Sequence, residues 1–377
     1  MKYSCVQLND LPDEILLIIF KQLDNLELLY SFHDVNERLN KILHDPVFTS
    51  HLSFVKWSLN EIINKFSFYI ILDRFCLQIL PKIHMKIKCL DLESESMKNI
   101  LDAADYPNLY SLGLYNIEEN MAEYLFTDER LSSSIFKNQI TRLIIGIAPD
   151  EIRCSTMEYT CNLILTVFIN LNELIFYDAS YQYHIRLMNY TLCPNFSSSS
   201  LSILKIKVQT FSVCLYLLDG RFDQLHTLYI ELANTSLSPE EVEHQAFEHG
   251  FFNRIAQSFL FMEKLSIFNR YEQNQKDSYK LMNAESNLSI VKYNYLVELH
   301  IDRSHDCYIE EFLCDTKTYF QNNITLFTYY EALQRVTYDF TRDDTRINCT
   351  KINDLVLLDE DQYSKSCKDY FPFAIIQ

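Results

Sequence analysis

Glycine is what this chain most lacks: four occur in 377 residues, against the roughly 7% of ordinary usage. Phosphate cradles and nucleophile elbows need residues without a side chain. No GxGxxG, GxxxxGK[ST] or GxSxG is present, which argues against nucleotide-dependent enzymes and α/β-hydrolases. Positive charge is also short. Lys and Arg number 33 against 51 Asp and Glu, a formal net charge of −18. Neutralising phosphates takes the opposite sign, so nucleic acid and anionic membrane are disfavoured as partners. The 11 cysteines include no CxxC and are odd in number. The start, MKYSCVQLNDLPDE, has neither the basic region nor the small-residue cleavage site of a signal peptide. The apolar run ILLIIF is too short to span a bilayer. These cysteines therefore read as reduced thiols of a cytoplasmic or nuclear protein.

What the chain does have is apolar material: 48% hydrophobic and 14% aromatic residues, too much for disorder. Its length is great for one compact core and suits two domains or a repeat array.

Near the start, LPDEILLIIFKQL (11–23) carries six consecutive apolar residues, Ile15 to Phe20. At about 100° per residue these go all the way round a helix, so the helix must be covered on more than one side. Pro12 suits the first helical position, and Asp13 and Glu14 the first turn. Asp24-Asn25 breaks the helix, and Asn25 can cap a second one carrying Leu26, Leu28 and Leu29. A third, with Val35, Leu39, Ile42 and Leu43 at helical spacing, ends at Asp45-Pro46. The stretch Leu11-Pro12-x-Glu14-Ile15-x3-Ile19-x3-Leu23, followed by Leu28, Val35, Leu39, Asp45-Pro46 and Phe48, resembles the F-box. The resemblance implies three helices over residues 1–52 that dock on a Skp-type adaptor and, through it, a cullin. It assigns the adaptor contact to Leu11, Pro12, Ile15, Ile19, Leu23, Leu28, Val35 and Leu39. The alternative is a helical cap on a larger fold.

From residue 80 a hexapeptide of the form apolar-x-x-Leu-x-apolar returns: IKCLDL, LYSLGL, ITRLII, LNELIF, LSILKI, LHTLYI, MEKLSI and LVELHI. LQRVTY (333–338) and INDLVL (352–357) extend the series more loosely. The central residues are Leu90, Leu112, Leu143, Leu174, Leu204, Leu228, Leu265, Leu299, Val336 and Leu355. Each hexapeptide alternates like a short strand, and the intervals leave room for one helix apiece. SMKNILDAADYPN (96–108) and PEEVEHQAFEHGFFNRIAQSF (239–259) read as such helices, the second starting at Pro239, Glu240 and Glu241. Strand–helix units at a recurring period build a solenoid. The pattern resembles the leucine-rich repeat. The expected fold is therefore α/β: a small three-helix F-box, then an irregular leucine-rich-repeat-like solenoid over residues 53–377, with parallel strands on the concave side and helices outside. A doubly wound α/β domain is the alternative, and it would normally show glycine at strand ends.

Alternation within the hexapeptides turns Asp91, Glu93, Tyr115, Arg142, Glu173, Tyr177, Lys205, Lys207, Tyr229, Glu231, Lys264, Phe268, Glu298, His300 and Asp302 to the concave face. Aromatic and basic residues concentrate over its middle, so Arg142, Tyr177, Lys205, Tyr229, Lys264 and Phe268 are the candidate substrate contacts. The densest group of metal-ligand types, His300, His305, Cys307 and Cys314, fits no common site spacing. His244 and His249 do not form HExxH and read as a solvated helix face. FTYYEAL (327–333) and YDASYQY (177–183) read as core and surface filler. No catalytic residue, metal or cofactor is expected. The function implied is a substrate-recognition subunit of an SCF-type ubiquitin ligase with an unknown protein substrate. The alternative is a repeat scaffold that binds the adaptor without promoting ubiquitination.

Overall fold

The computed structural model describes residues 8–55, 65–117, 134–147, 167–178, 198–208, 218, 220, 222–232, 247–273, 289–359 and 363–377. The chain forms two compact units, Met1–Ala148 and Pro149–Gln377.

The first unit begins with four short helices: α1 (Asp13–Phe20), α2 (Asn25–Phe32), α3 (Glu37–Leu43) and α4 (Pro46–Thr49). Side-chain caps define the last three. Asp24 accepts from the Leu26 and Glu27 N–H groups, Asn36 from Leu39 and Asp45 from Val47. Each cap satisfies a backbone donor that helix geometry leaves orphaned. Asn25 is thus not the cap of α2; its amide donates instead to the His51 carbonyl at 3.2 Å. Pro12 precedes the first helical residue rather than occupying it. Leu16 and Phe20, one turn apart, face inward with Leu28, Leu29, Leu39, Leu43 and Phe48. Then come α5 (Lys65–Arg74), a π turn (Phe75–Ile79) and α6 (Leu80–Ile83). Pro81 offers no N–H to the Leu77 carbonyl, and Leu80 reaches back five residues to Phe75 instead.

Four parallel strands complete this unit: β1 (His51–Ser53), β2 (Cys89–Glu93), β3 (Ser111–Ile117) and β4 (Arg142–Ile147). Their register aligns Leu52, Leu90, Leu112 and Leu143, all fully buried. Between β2 and β3 lies α7 (Ser94–Ala103), somewhat shorter than its sequence pattern, with Met97, Ile100 and Leu101 buried. A short α8 (Ser134–Gln139) precedes β4.

The second unit repeats the scheme. In sequence order its strands are β5 (Glu173–Asp178), β6 (Ile203–Val208), β7 (Thr227–Leu232), β8 (Lys264–Phe268), β9 (Val291–Tyr293) and β10 (Glu298–His300). β11 (Thr318–Phe320), β12 (Ile324–Thr328), β13 (Ile352–Leu357) and β14 (Ile375–Ile376) follow. All but β9 and β11 pair with parallel neighbours in sequence order, while β9 and β11 form a parallel pair of their own. One register runs Leu174, Leu204, Leu228, Leu265, Leu299, Leu326, Leu355 and Ile376. Seven leucines buried to 1% or less contribute about 1.5–3 kcal/mol each. Among the described residues its helices are α9 (His249–Ser258), α10 (Asp306–Leu313), α11 (Tyr330–Val336), α12 (Arg346–Cys349) and α13 (Lys365–Tyr370). Their inward faces pack an aromatic core that includes Phe252, Tyr308, Phe312 and Phe320.

Both units are thus α/β repeats of parallel strands, as the hexapeptides imply, with one substitution. LQRVTY is not a strand. Leu333 and Val336 lie on one face of α11, because an i, i+3 apolar pair serves a helix as well as a hexapeptide. The strand in that repeat is ITLFT, whose period-two burial puts Leu326 in the leucine row. The Pro239–Glu241 helix start and His244 lie outside the described residues.

After α11 the chain makes a left-handed turn through Tyr338, Asp339 and Phe340, with φ of 52°, 56° and 62°. Non-glycine residues there are strained by roughly 1 kcal/mol or more each. Local bonds hold them: Asp339 N–H to the Gln334 carbonyl at 2.9 Å, Gln334 Nε2 to Asp339 Oδ1 at 2.7 Å, and Phe340 N–H to Thr337 Oγ1 at 3.2 Å.

Candidate functional site

Two surfaces present themselves, one in each unit. In the first, the apolar run of α1 splits into two faces. Leu16 and Phe20 go to the core, whereas Ile15, Ile18 and Ile19 are exposed, Ile18 by 60%. Leu23, Val35 and Val47 are exposed as well. The start of α1 is fixed by Arg38, which donates through Nε to Asp13 at 2.6 Å and through Nη2 to the Leu11 carbonyl. Of the predicted adaptor contacts, Leu11 is half-buried, and Pro12, Ile15, Ile19, Leu23 and Val35 are exposed. Leu28 and Leu39 are only 1–2% exposed, because the inward stripes of α2 and α3 must cover Leu16 and Phe20. They lie beneath this exposed surface rather than on it. Ile18 is the exposed residue that reading missed; its place three residues after Ile15 was the available signal.

On the solvent face of the first unit's sheet, His51 Nε2 and Asp91 Oδ2 are 2.8 Å apart. That bond holds the imidazole above its ordinary pKa, against the opposing effect of burial. Two of the four glycines lie on this sheet, Gly113 beside Asp91 and Gly146 beside Tyr115. A Cβ on Gly113 would come within 2.2 Å of Asp91 Oδ1, and one on Gly146 within 2.9 Å of the Tyr115 ring. Here glycine serves close side-chain packing, not phosphate binding. Arg142, at the head of β4, is half-buried.

In the second unit, Lys205, Tyr229 and Lys264 are exposed on the sheet's solvent face, and Phe268 is half-buried there. Register places Lys205 beside Tyr229, and Glu231 beside Phe268. Tyr177 falls on β5, with its side chain outside what is described. The face continues into a network that sequence reasoning did not assemble. Glu298 accepts from Lys264 at 2.5 Å and pairs with His300 at 2.8 Å, and His300 stacks on Phe327 with ring centroids 3.9 Å apart. Burial works to raise the Glu298 pKa, but the bonds from Lys264 and His300 outweigh it and leave the carboxyl below its ordinary value. Phe327 opens FTYYEAL, which reads as core and surface filler when the strand is placed at 333–338.

The metal-ligand types at 300–314 have separate duties. His305 caps α10, accepting from the Cys307 N–H, and the Cys307 and Cys314 side chains are buried at the two ends of that helix. Burial pushes the Cys307 thiol up to about 12, far from a reactive thiolate. Among the described residues no group of three or more His, Cys, Asp and Glu could hold a metal ion, and no helix is long and apolar enough to cross a membrane. His249 departs from the solvated face expected of it. Its Nδ1 lies 2.6 Å from Glu311 Oε1 and its Nε2 3.0 Å from the Ser289 carbonyl.

No known family profile matches the chain, and no curated protein does. Among solved structures, the crystal structure of the Rad7 and Elc1 complex in yeast matches 97% of this chain and 92% of that one, at 15% identity and a TM-score of 0.37. That overlap is too low to carry a fold or a partner across, and the repeat architecture rests on the strand registers themselves.

Proposed function

We propose that this protein is the substrate-recognition subunit of an SCF-type ubiquitin ligase, acting in the cytoplasm or nucleus. Residues 1–52 act as the F-box, holding a Skp-type adaptor and through it a cullin. Residues 53–377 act as the receptor for a protein substrate. The observation that carries this reading is the exposed stripe of Ile15, Ile18 and Ile19 on α1, with Leu23, Val35 and Val47 exposed in the same small helical segment. Apolar side chains clustered on so short a segment are a protein-binding feature. The substrate is held by the outward residues of the sheet, with Tyr229 and Phe268 as aromatic anchors, Lys205 and Lys264 setting its register, and Arg142 and Tyr177 as further contacts. The chain's contribution is proximity, which makes ubiquitin transfer effectively intramolecular.

The test is Ile19→Asp. Burying that charge against an adaptor costs several kcal/mol and abolishes co-purification with it. Because Ile19 is 38% exposed, the helical segment keeps its fold, which circular dichroism checks. Wild-type recovery of the adaptor by a folded Ile19→Asp chain overturns the assignment.

A further inference from the structure

At the carboxyl ends of its strands, the second unit has an open groove of about 570 Å³, within the usual range of ligand sites. The lining is built in strand order. Arg270 follows β8, Asp302 and Arg303 follow β10, Tyr329 and Glu331 follow β12, and Asp359 follows β13. These four strands are successive neighbours, so at about 4.8 Å per strand the groove extends roughly 14 Å.

Its charges are sorted along that length. In the middle they cancel: Arg335 donates to both oxygens of Asp306 at 2.6 and 2.9 Å, and Arg303 lies 3.6 Å from Asp302. At the β8 end, Arg270 is exposed, rests 5.6 Å from the Phe268 ring centroid, and makes no ion pair among the described residues. At the other end stand two carboxylates. Glu331 is 73% exposed and 3.8 Å from Arg335, and Asp359 uses Oδ1 to accept from the Tyr330 N–H at 2.7 Å. One end offers a cation and the other offers anions, so a simple ion satisfies only one of them.

We propose that this groove binds an extended peptide segment that places an acidic side chain against Arg270 and a basic one against Glu331 and Asp359. The proposal deepens the receptor reading above and rests on it. An extended chain advances about 3.3 Å per residue, so roughly 14 Å sets the two charges about four positions apart. Phe268 and Tyr329 give the intervening residues apolar and aromatic walls.

The experiment uses the full chain and four labelled nine-residue Gly-Ser peptides, read by fluorescence anisotropy. They carry Glu and Lys four apart, Glu and Lys adjacent, two Glu four apart, or two Lys four apart. The first should bind about tenfold more tightly than the others, the size expected from one mismatched charge contact. Arg270→Glu makes both ends anionic and should move the preference to the two-Lys peptide. Glu331→Lys should move it toward the two-Glu peptide. Equal binding of all four peptides, binding of none, or a preference indifferent to both substitutions overturns the proposal. Adaptor co-purification is measured on the same samples. A chain that holds the adaptor but ignores the peptides refutes the groove while leaving the receptor reading standing.

Discussion

Replacing His249 with Ala should destabilise the second unit by about 3–5 kcal/mol, because it strands a buried carboxylate. The Glu311 side chain is 1% exposed and His249 Nδ1 sits 2.6 Å from it; the next cation, Lys317 Nζ, is 3.9 Å away. Both imidazole nitrogens face oxygen acceptors, Glu311 and the Ser289 carbonyl, an arrangement that only the doubly protonated ring satisfies. The bond to Glu311 accordingly raises the His249 pKa, overcoming burial. The sign of the pH dependence follows. A raised folded-state pKa contributes stability that is fully present below the unfolded value of about 6.5 and is lost as pH rises through the folded value. Urea and thermal unfolding between pH 5.5 and 8.5 measure it. His249→Ala should lower the melting temperature by on the order of 10 °C and remove this decline. The double replacement His249→Leu with Glu311→Met should recover most of the loss, since it leaves no uncompensated charge. A double variant as unstable as the sum of the single ones, or an unchanged pH profile in His249→Ala, refutes the reasoning.

Three further outcomes are expected. Gly113→Ala should destabilise the first unit by about 1–3 kcal/mol, since the added methyl collides with Asp91 and Tyr115; thermal unfolding and the loss of the His51–Asp91 pairing by NMR report it. Leu326→Ala, in the continuous leucine row, should cost about 2–5 kcal/mol. Exposed Ile347→Ala should cost less than about 0.5 kcal/mol, and urea midpoints separate the two. EDTA should leave the melting temperature unchanged, because the His305, Cys307 and Cys314 side chains already serve a helix cap and the core. Removing structural zinc would cost on the order of 10 kcal/mol.

Much of the fold could be read in the sequence because one physical signal dominates it. A buried leucine flanked by alternating residues marks a parallel strand, and Leu90, Leu112, Leu143, Leu174, Leu204, Leu228, Leu265, Leu299 and Leu355 all carried that signal into the structure. It failed at 333–338, where Leu333 and Val336 satisfy helix and hexapeptide spacing alike. It was silent for β1 and β14, three and two residues long, which lie in no apolar-x-x-Leu-x-apolar hexapeptide. The α1 surface was legible because six apolar residues cannot all be buried by a small helical segment. That Leu28 and Leu39 are buried and Ile18 exposed was not, since which stripe faces inward is settled by α2 and α3 together. The groove was invisible for a different reason. Arg270, Arg303, Glu331 and Asp359 are far apart in sequence and meet only because each follows a strand end in one parallel register.

The sequential order of the strands also has a mechanical consequence. In the second unit's main sheet each strand bonds only to its neighbours, so a load applied across the strands reaches one ladder at a time. Pulled from its carboxyl end, the sheet should open like a zipper. The two-residue β14 yields first, then β13, whose loss frees the 29-residue step from Leu326 to Leu355. At about 3.4 Å per residue, that step lengthens the chain by roughly 100 Å. An unfoldase gripping this end would meet a series of small barriers, each the size of one repeat, in place of a single large one.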